Sequence, residues 1–371
     1  MDKFNNENSV YLLKLTASVI NGTVPPEPYN SIDLSEVYKL AKSHNILNLT
    51  YYAVEQLQNK PDADILKKWE FKRNQCIHRN MIQTQEFNII SDSFEENKIE
   101  FMPVKGFFLS NLYPKPDYRF MSDLDFLVKK DNLKQADSVL VSMGYTATKK
   151  GVMYDDEFEK PPFMYIEVHH ELFPLHSPFN PYYKDIFERS EKETEYRYKM
   201  TDEDAYIYIM LHLYKHYSEA GTGIRSIVDT YLLNKKVLPE MDKSYLNDQF
   251  NKLGISEFVE TLSNIAEKWF GLNTDYKFLE DELFILYSGT YGNYETRILN
   301  KYSNLGSKHY YLKRIFPPLI VMKDLFHPLR KYPFLLPFFY IVRIFSLILP
   351  SQRKKIKQEI KVLNESKSSD K

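Results

Sequence analysis

FMPVKGFFLSNLYPKPDYRFMSDLDFLVKK, residues 101–130, holds the most informative spacing in this chain. A short β-like run ends in Lys105-Gly106, which opens a helical run, and a proline-punctuated loop then leads into Asp-Leu-Asp-Phe-Leu-Val at 123–128. Side chains two apart on a strand point to the same face. Asp123 and Asp125 therefore project together from a strand whose other residues are apolar. Two anions held that close repel each other unless a cation lies between them. Mg²⁺, which takes oxygen ligands and keeps waters for substrate phosphates, suits such a pair. A solvated edge strand explains two alternating acids as well, and the spacing alone leaves both readings open.

Upstream of the acids, Lys105-Gly106 follows directly on a strand and starts a helix over residues 106–113. Backbone amides at a helix start attract phosphate, glycine lets it approach closely, and Lys105 adds a point charge. A plain strand-to-helix turn asks for the same glycine. Arg119, four residues before Asp123, is placed to pair with these carboxylates or with a phosphate. Downstream, Asp131 reads as the cap of a helix carrying Leu133, Ala136, Leu140 and Met143 and stopped by Gly144. Residues 145–149 and 153–154 read as a hairpin around Lys150-Gly151. PFMYIEVHHELF, residues 162–173, supplies a further strand on which Glu167 points away from Ile166 and Val168. A third carboxylate on a neighbouring strand completes a site for one or two Mg²⁺ ions, which clamp a triphosphate and help deprotonate an attacking hydroxyl. Strands alternating with helices in this way indicate a mixed sheet core.

Around this core the chain reads as helix. Residues 8–21, a segment capped by Asp33 with Glu36 three residues on, another through Leu57 and a long run over 62–97 fill the first hundred positions. Helices return from Thr201, which with Asp204 forms a capping pattern before AYIYIMLHLYKHY. His212, Lys215 and His216 share one face of that helix at i, i+3 and i+4. They read either as histidines packed at a seam between regions or as a face lining a cleft opposite the carboxylates, with Lys215 meeting a phosphate. No glutamate follows His212, so the zinc-protease pattern is absent. Arg225 and Asp229, four apart, read as an ion pair. The division that follows is a helical region over 1–98, a core over 99–200 and a helical region over 201–371.

Composition bounds the class. With 371 residues, 43% of them hydrophobic and 27% charged, the chain describes a folded protein with two or three domains rather than a disordered one. Cys76 is the single cysteine, which excludes an intrachain disulfide and a cysteine metal cluster. MDKFNNENSV offers no apolar run fit for a secretory signal, so a cytoplasmic location is expected. The net charge of −1 hides an asymmetry: residues 301–371 carry 15 Lys/Arg against 4 Asp/Glu, and the first 300 are correspondingly acidic. A nucleic-acid partner is disfavoured by that acidic body, whereas a basic C-terminal face is expected. PFFYIVRIFSLILP, residues 337–350, is too short and interrupted to span a membrane and carries Arg343 near its middle. It reads as an amphipathic helix that either packs on the helical region or, with the following Arg353-Lys354-Lys355, makes peripheral membrane contact through 337–357.

VKGFFLSNLYPKPDYRFMSDLDFLV, the spacing to LVSMGY and then YIEVHHELF together resemble a bacterial uncharacterised nucleotidyltransferase family of the DNA polymerase β-like superfamily. The family pattern is a Lys-Gly helix start, an Arg shortly before Asp-x-Asp, a helix ending in Gly-Tyr and an acid-x-His strand. It falls here on Lys105, Gly106, Arg119, Asp123, Asp125, Gly144, Tyr145, Glu167 and His169. The similarity is strong over 99–172 and continues more weakly through the helix with His212 and His216 and IRSIVDTYLL. It implies an α+β fold with a nucleotidyltransferase-type mixed sheet between mainly helical regions. It also implies transfer of a nucleoside monophosphate from an NTP, ATP among them, to a hydroxyl on a small molecule, sugar or protein. Asp123, Asp125 and Glu167 would hold Mg²⁺, with Glu167 alternatively the base, and Lys105, Gly106, Arg119 and Lys215 would hold phosphates. His169, His212 and His216 would line the cleft. Phe107 stands where active superfamily members commonly carry serine, and the alternative reading is a catalytically weak or inactive nucleotide-binding scaffold of the same fold.

Overall fold

The computed structural model describes residues 6–271, 276–290, 312–348 and 356–363, with 292, 298, 302 and 353 besides. Four helices come first: α1 (Asn6–Asn21), α2 (Leu34–Ser43), α3 (Leu47–Val54) and α4 (Ala63–Glu96). Asp33 caps α2 by accepting the Ser35 amide at 2.8 Å. Trp69, Cys76, Gln83, Phe87, Ile90 and Phe94 recur along α4 at the spacing of one helical face, and all are buried.

A five-stranded mixed sheet follows, formed by β1 (Phe101–Val104), β2 (Leu124–Val128), β3 (Thr146–Lys149), β4 (Asp155–Lys160) and β5 (Met164–His169). Its order is β1-β2-β5-β4-β3. β2 and β5 run parallel at the centre, and the remaining pairs are antiparallel. Leu124, Phe126, Ile166 and Val168 face one side, where they pack with Phe87, Ile90 and Phe94 of α4 and with Ala136 and Leu140 of α6 (Leu133–Ser142). Met102, Val104 and Leu127 face the other side, under α5 (Gly106–Ser110) and α7 (Asp202–Ala220). This alternation aims the intervening residues of β2 and β5 at α7. Beyond the sheet, α8 (Ile224–Lys236), α9 (Lys243–Leu253), α10 (Ser256–Phe270) and α11 (Glu280–Ser288) complete the helical body. Tyr11, Leu12, Val37 and Leu49 share a core with Ile227, Leu262, Trp269 and Ile285, so the first helices pack against the later ones.

The chain is thus α+β, as expected. Three local readings are corrected. Asp131 lies in a single 3-10 turn, Lys130–Asn132, and α6 starts at Leu133 after Asn132, without a side-chain cap. Asp155–Lys160 forms a full strand where the sequence suggested only a two-residue return at 153–154. β2 begins at Leu124, which leaves Asp123 at its mouth.

At the far end, α12 (Leu319–Leu325), α13 (Pro328–Lys331) and α14 (Leu336–Ile348) form a small helical hairpin. Its inner side is held by a Tyr340 hydroxyl to Pro317 carbonyl bond of 2.7 Å, Phe326 against Phe339 and Arg343 donating to the Arg314 carbonyl. These inner contacts are all with residues 314–326 of the same segment, and the outer side of α14 is open. Residues 349–352, 354 and 355 of the expected membrane-contact segment fall outside the described residues.

Candidate active site

The parallel pairing of β2 with β5 sets Asp125 directly beside Glu167. His169, two residues on, shares that face and donates from Nε2 to Asp125 Oδ1 at 2.9 Å, with Glu167 Oε2 at 3.4 Å. The protonated Nε2 leaves Nδ1 as the acceptor, and that nitrogen is buried without a partner. Lys105 caps α5 in a positive-φ conformation (φ 53), which turns its side chain back under the sheet. Its ammonium lies 3.1 Å from Asp125 Oδ1.

The electrostatics follow from this crowding. Burial pushes the Asp125 carboxyl up, but Lys105 and the His169 hydrogen bond overcome it and hold the group well below the usual carboxylate range. Burial and the neighbouring Asp125 raise both Asp123 and Glu167. Burial opposes the charge of Lys105, while Asp125, Tyr208 and Glu167 keep it well above an ordinary lysine. Burial and then Lys105 depress His169. His212 is lowered further, by burial first and then by Lys105 and His216.

Asp123, Asp125 and Glu167 line a cavity of about 330 Å³. Its opposite wall comes from α7 and the start of α8, with His212, Lys215, His216 and Arg225 facing in. This helix face, open between a packed seam and a cleft lining in the sequence, borders the cavity: His212 and His216 approach to 3.3 Å, and Lys215 donates to the Tyr154 hydroxyl at 3.0 Å. Tyr154 in turn lies over the His169 ring, centroids 5.8 Å apart.

Arg119 lines the same cavity, but its partner differs from the expected Asp123 or Asp125. Nε and Nη2 grip Asp229 Oδ1 and Oδ2 at 2.8 and 3.0 Å. Tyr113 donates to the same Asp229 oxygen at 2.8 Å. Asp229, read from the sequence as the partner of Arg225, thus closes on the loop before β2, and Arg225 Nη1 donates to the Phe120 carbonyl. The remaining Arg119 nitrogen, Nη1, points toward Gly106: a Cβ added there would lie 3.6 Å from it. Phe107 turns away from the cavity and stacks on Phe87, centroids 3.9 Å apart. Tyr154, Arg225 and Asp229 were not foreseen as site residues. The helical spacing of Arg225 and Asp229 drew attention to them, and no local signal marks Tyr154.

Carboxylate oxygens of Asp125 and Glu167 and one His169 nitrogen lie within 4.8 Å of one another, a grouping able to hold a metal ion. Asp123, expected in that set, lines the cavity beside it. The raised Asp123 and Glu167 mark negative charge that the protein leaves undercompensated. A divalent cation fits that imbalance, Mg²⁺ through the carboxylates and a softer ion through His169 as well, once Nε2 gives up the proton it donates to Asp125.

Residues 30–271 match the family described as uncharacterised nucleotidyltransferase. Among solved structures, the antibiotic-resistance factor ANT(2'')-Ia aligns at 9% identity, covering 50% of this chain and 91% of that one with a TM-score of 0.27. No curated protein matches. The family match spans well over half of the sequence, and the chain belongs to that nucleotidyltransferase family.

Proposed function

We propose that this nucleotidyltransferase-family chain moves a nucleoside monophosphate from an NTP, such as ATP, to a hydroxyl of a small molecule, sugar or protein. The observation that carries this reading is the pairing of Asp125 with Glu167 on adjacent parallel strands, in a cavity whose far wall presents Lys215 and Arg225. Asp123 and Asp125 would hold Mg²⁺, with Glu167 or His169 completing its shell. Held there, Mg²⁺ would supply positive charge against the negative charge that grows on the transferred phosphate. Lys105, Gly106, Arg119 through Nη1, and Lys215 orient the triphosphate. Glu167, raised by burial and by Asp125, is suited to accept a proton. The acceptor hydroxyl gives its proton to Glu167 and its oxygen bonds to the α-phosphorus. The bond from that phosphorus to the bridging oxygen then breaks, and pyrophosphate leaves.

A second reading rests on Lys105. Its ammonium already engages Asp125, one of the carboxylates that would hold a metal, and Phe107 supplies no hydroxyl. On that reading the chain binds nucleotide without transferring it. Mass-detected transfer with Mg²⁺ distinguishes the two. Label transfer by wild type that Asp123→Ala and Asp125→Ala abolish supports the enzyme. Metal-dependent nucleotide binding with no product supports the scaffold. Turnover untouched by both substitutions sinks the site assignment.

A further inference from the structure

The hairpin of α12, α13 and α14 presents apolar side chains to solvent instead of burying them. Phe334, Phe338 and Phe345 are 74, 59 and 67% exposed, and Ile341, Val342 and Ile344 are exposed beside them. Phe338, Ile341, Val342 and Phe345 fall at i, i+3, i+4 and i+7, one continuous helical stripe. Soluble chains rarely leave such a stripe open unless something covers it.

The surrounding charge says what. Residues 301–371 carry 15 Lys/Arg and 4 Asp/Glu. Two of those acids, Asp324 and Glu359, are buried, Asp324 against His176 and Glu359 beside Arg314. Among the described residues from 312 onward, Lys313, Lys331, Arg353 and Lys357 are exposed while both acids are buried, so this segment shows apolar and cationic groups to solvent. A second copy of the same face would set like charges together across a two-fold axis. No helix among the described residues is long and apolar enough to cross a membrane. An apolar stripe accompanied by cations matches instead the boundary of headgroups and acyl chains in an anionic bilayer. Tyr332, exposed at the foot of α14, has the amphipathic ring favoured at that boundary.

We propose that the outer face of α14, with the exposed Lys331 just before it in the chain and the exposed Lys313 next to the Arg314 whose carbonyl Arg343 holds, docks this chain reversibly on an anionic membrane surface. The proposal is independent of how the cavity is read. Flotation of the full chain with vesicles of phosphatidylcholine, alone or mixed with phosphatidylglycerol, tests it. The chain is expected to float with the anionic vesicles at low salt and to be released by high salt. Phe338→Ser with Phe345→Ser should cut partitioning by roughly tenfold or more per ring withdrawn. Lys313→Gln with Lys331→Gln should cut it by roughly fivefold per charge. All four side chains are exposed, so unchanged thermal melting of each variant serves as the folding control. Wild-type chain left at the bottom of the anionic gradient overturns the proposal. So does equal flotation on neutral vesicles that ignores the lysine pair. A solution dimer that the phenylalanine pair dissociates would assign the face to a second copy instead.

Discussion

Arg119 and Asp229, 110 residues apart in sequence, meet in a two-pronged ion pair that ties the loop before β2 to α8. Both side chains are close to fully buried. A buried charge stripped of its partner costs about 3–5 kcal/mol, whereas replacing both partners by apolar groups is often nearly neutral. Asp229→Ala should therefore lower the unfolding free energy by about that amount, and Arg119→Met with Asp229→Leu by much less. Urea unfolding of the three variants checks this. Should the double variant be as unstable as the single one, the pair is not the source of the loss. Because Arg119 also lines the cavity, the more stable double variant should still bind nucleotide more weakly than wild type.

The carboxylates give a sharper expectation. Asp125→Asn keeps the shape and the His169 contact but removes charge from the centre of the site. Metal-borne charge stabilisation is worth several kcal/mol, so transfer should fall by roughly a hundredfold or more in Asp125→Asn and Glu167→Gln. Calorimetric titration with Mg²⁺ and Mn²⁺ supplies the second readout. Both ions should lose affinity in both variants, whereas His169→Gln should weaken Mn²⁺ more than Mg²⁺, since magnesium prefers oxygen donors. Equal losses for the two ions would remove His169 from the metal shell. A chelator should abolish transfer by wild type, with recovery on adding back Mg²⁺.

The legible parts of this chain were those with a simple period. The two-residue alternation in LDFLV and YIEVH put Asp125, Glu167 and His169 on one face, and the pairing of β2 with β5 kept them there. The helical stripe from Trp69 to Phe94 likewise revealed α4 within a residue of its ends. β4 was missed because Asp-Asp-Glu-Phe-Glu-Lys is rich in residues that strands disfavour. Tertiary contacts override that preference: the strand pairs along its whole length with β5, and Lys160 reaches Glu86 of α4 at 2.8 Å. The far wall of the cavity was legible only as an amphipathic face. Which groups α8 turns toward Arg119 depends on how the helical body docks against the sheet, and no local spacing encodes that.

His44 links three helices and carries a pH dependence with it. Its Nδ1 accepts the Ile224 amide at 3.2 Å, so Nε2 bears the proton and donates to the Leu286 carbonyl at 3.1 Å. Burial lowers its pKa from 6.5 to about 4. The folded chain therefore holds a neutral ring that the unfolded chain protonates below about 6.5. The stabilisation is fully present above that value and is lost as pH falls toward 4, amounting to about 3 kcal/mol at ~1.4 kcal/mol per unit. His44→Gln should be less stable than wild type at pH 7 and show a flatter decline between pH 6.5 and 4. Urea midpoints of both proteins across that range decide the matter, and parallel curves would assign the slope to other groups.

The last expectation concerns Met153, whose positive φ of 65 is uncommon for a side chain of its size. Both of its backbone groups are held by the C-terminal hairpin. Its amide donates to the Asp324 carbonyl at 2.6 Å, and its carbonyl accepts from His327 at 2.7 Å and Arg330 at 3.2 Å. The Asp324 side chain fixes the hairpin in turn by accepting the Leu175 and His176 amides and the His176 ring. The next residue, Tyr154, covers His169 and takes Lys215, so the hairpin positions one wall of the cavity through a single peptide unit. Asp324→Ala removes the acceptor of the Leu175 and His176 amides, neither of them fully buried, which costs about 1 kcal/mol per bond lost. Amide exchange over residues 151–156 should accelerate in that variant while exchange in β2 and β5 stays at the wild-type rate. Arg330→Gln, which removes one donor to Met153 but spares Asp324, should give a smaller acceleration confined to the same turn. Uniform acceleration across the sheet would instead mean general destabilisation, and unchanged exchange at 151–156 would show that Met153 keeps its conformation without the hairpin.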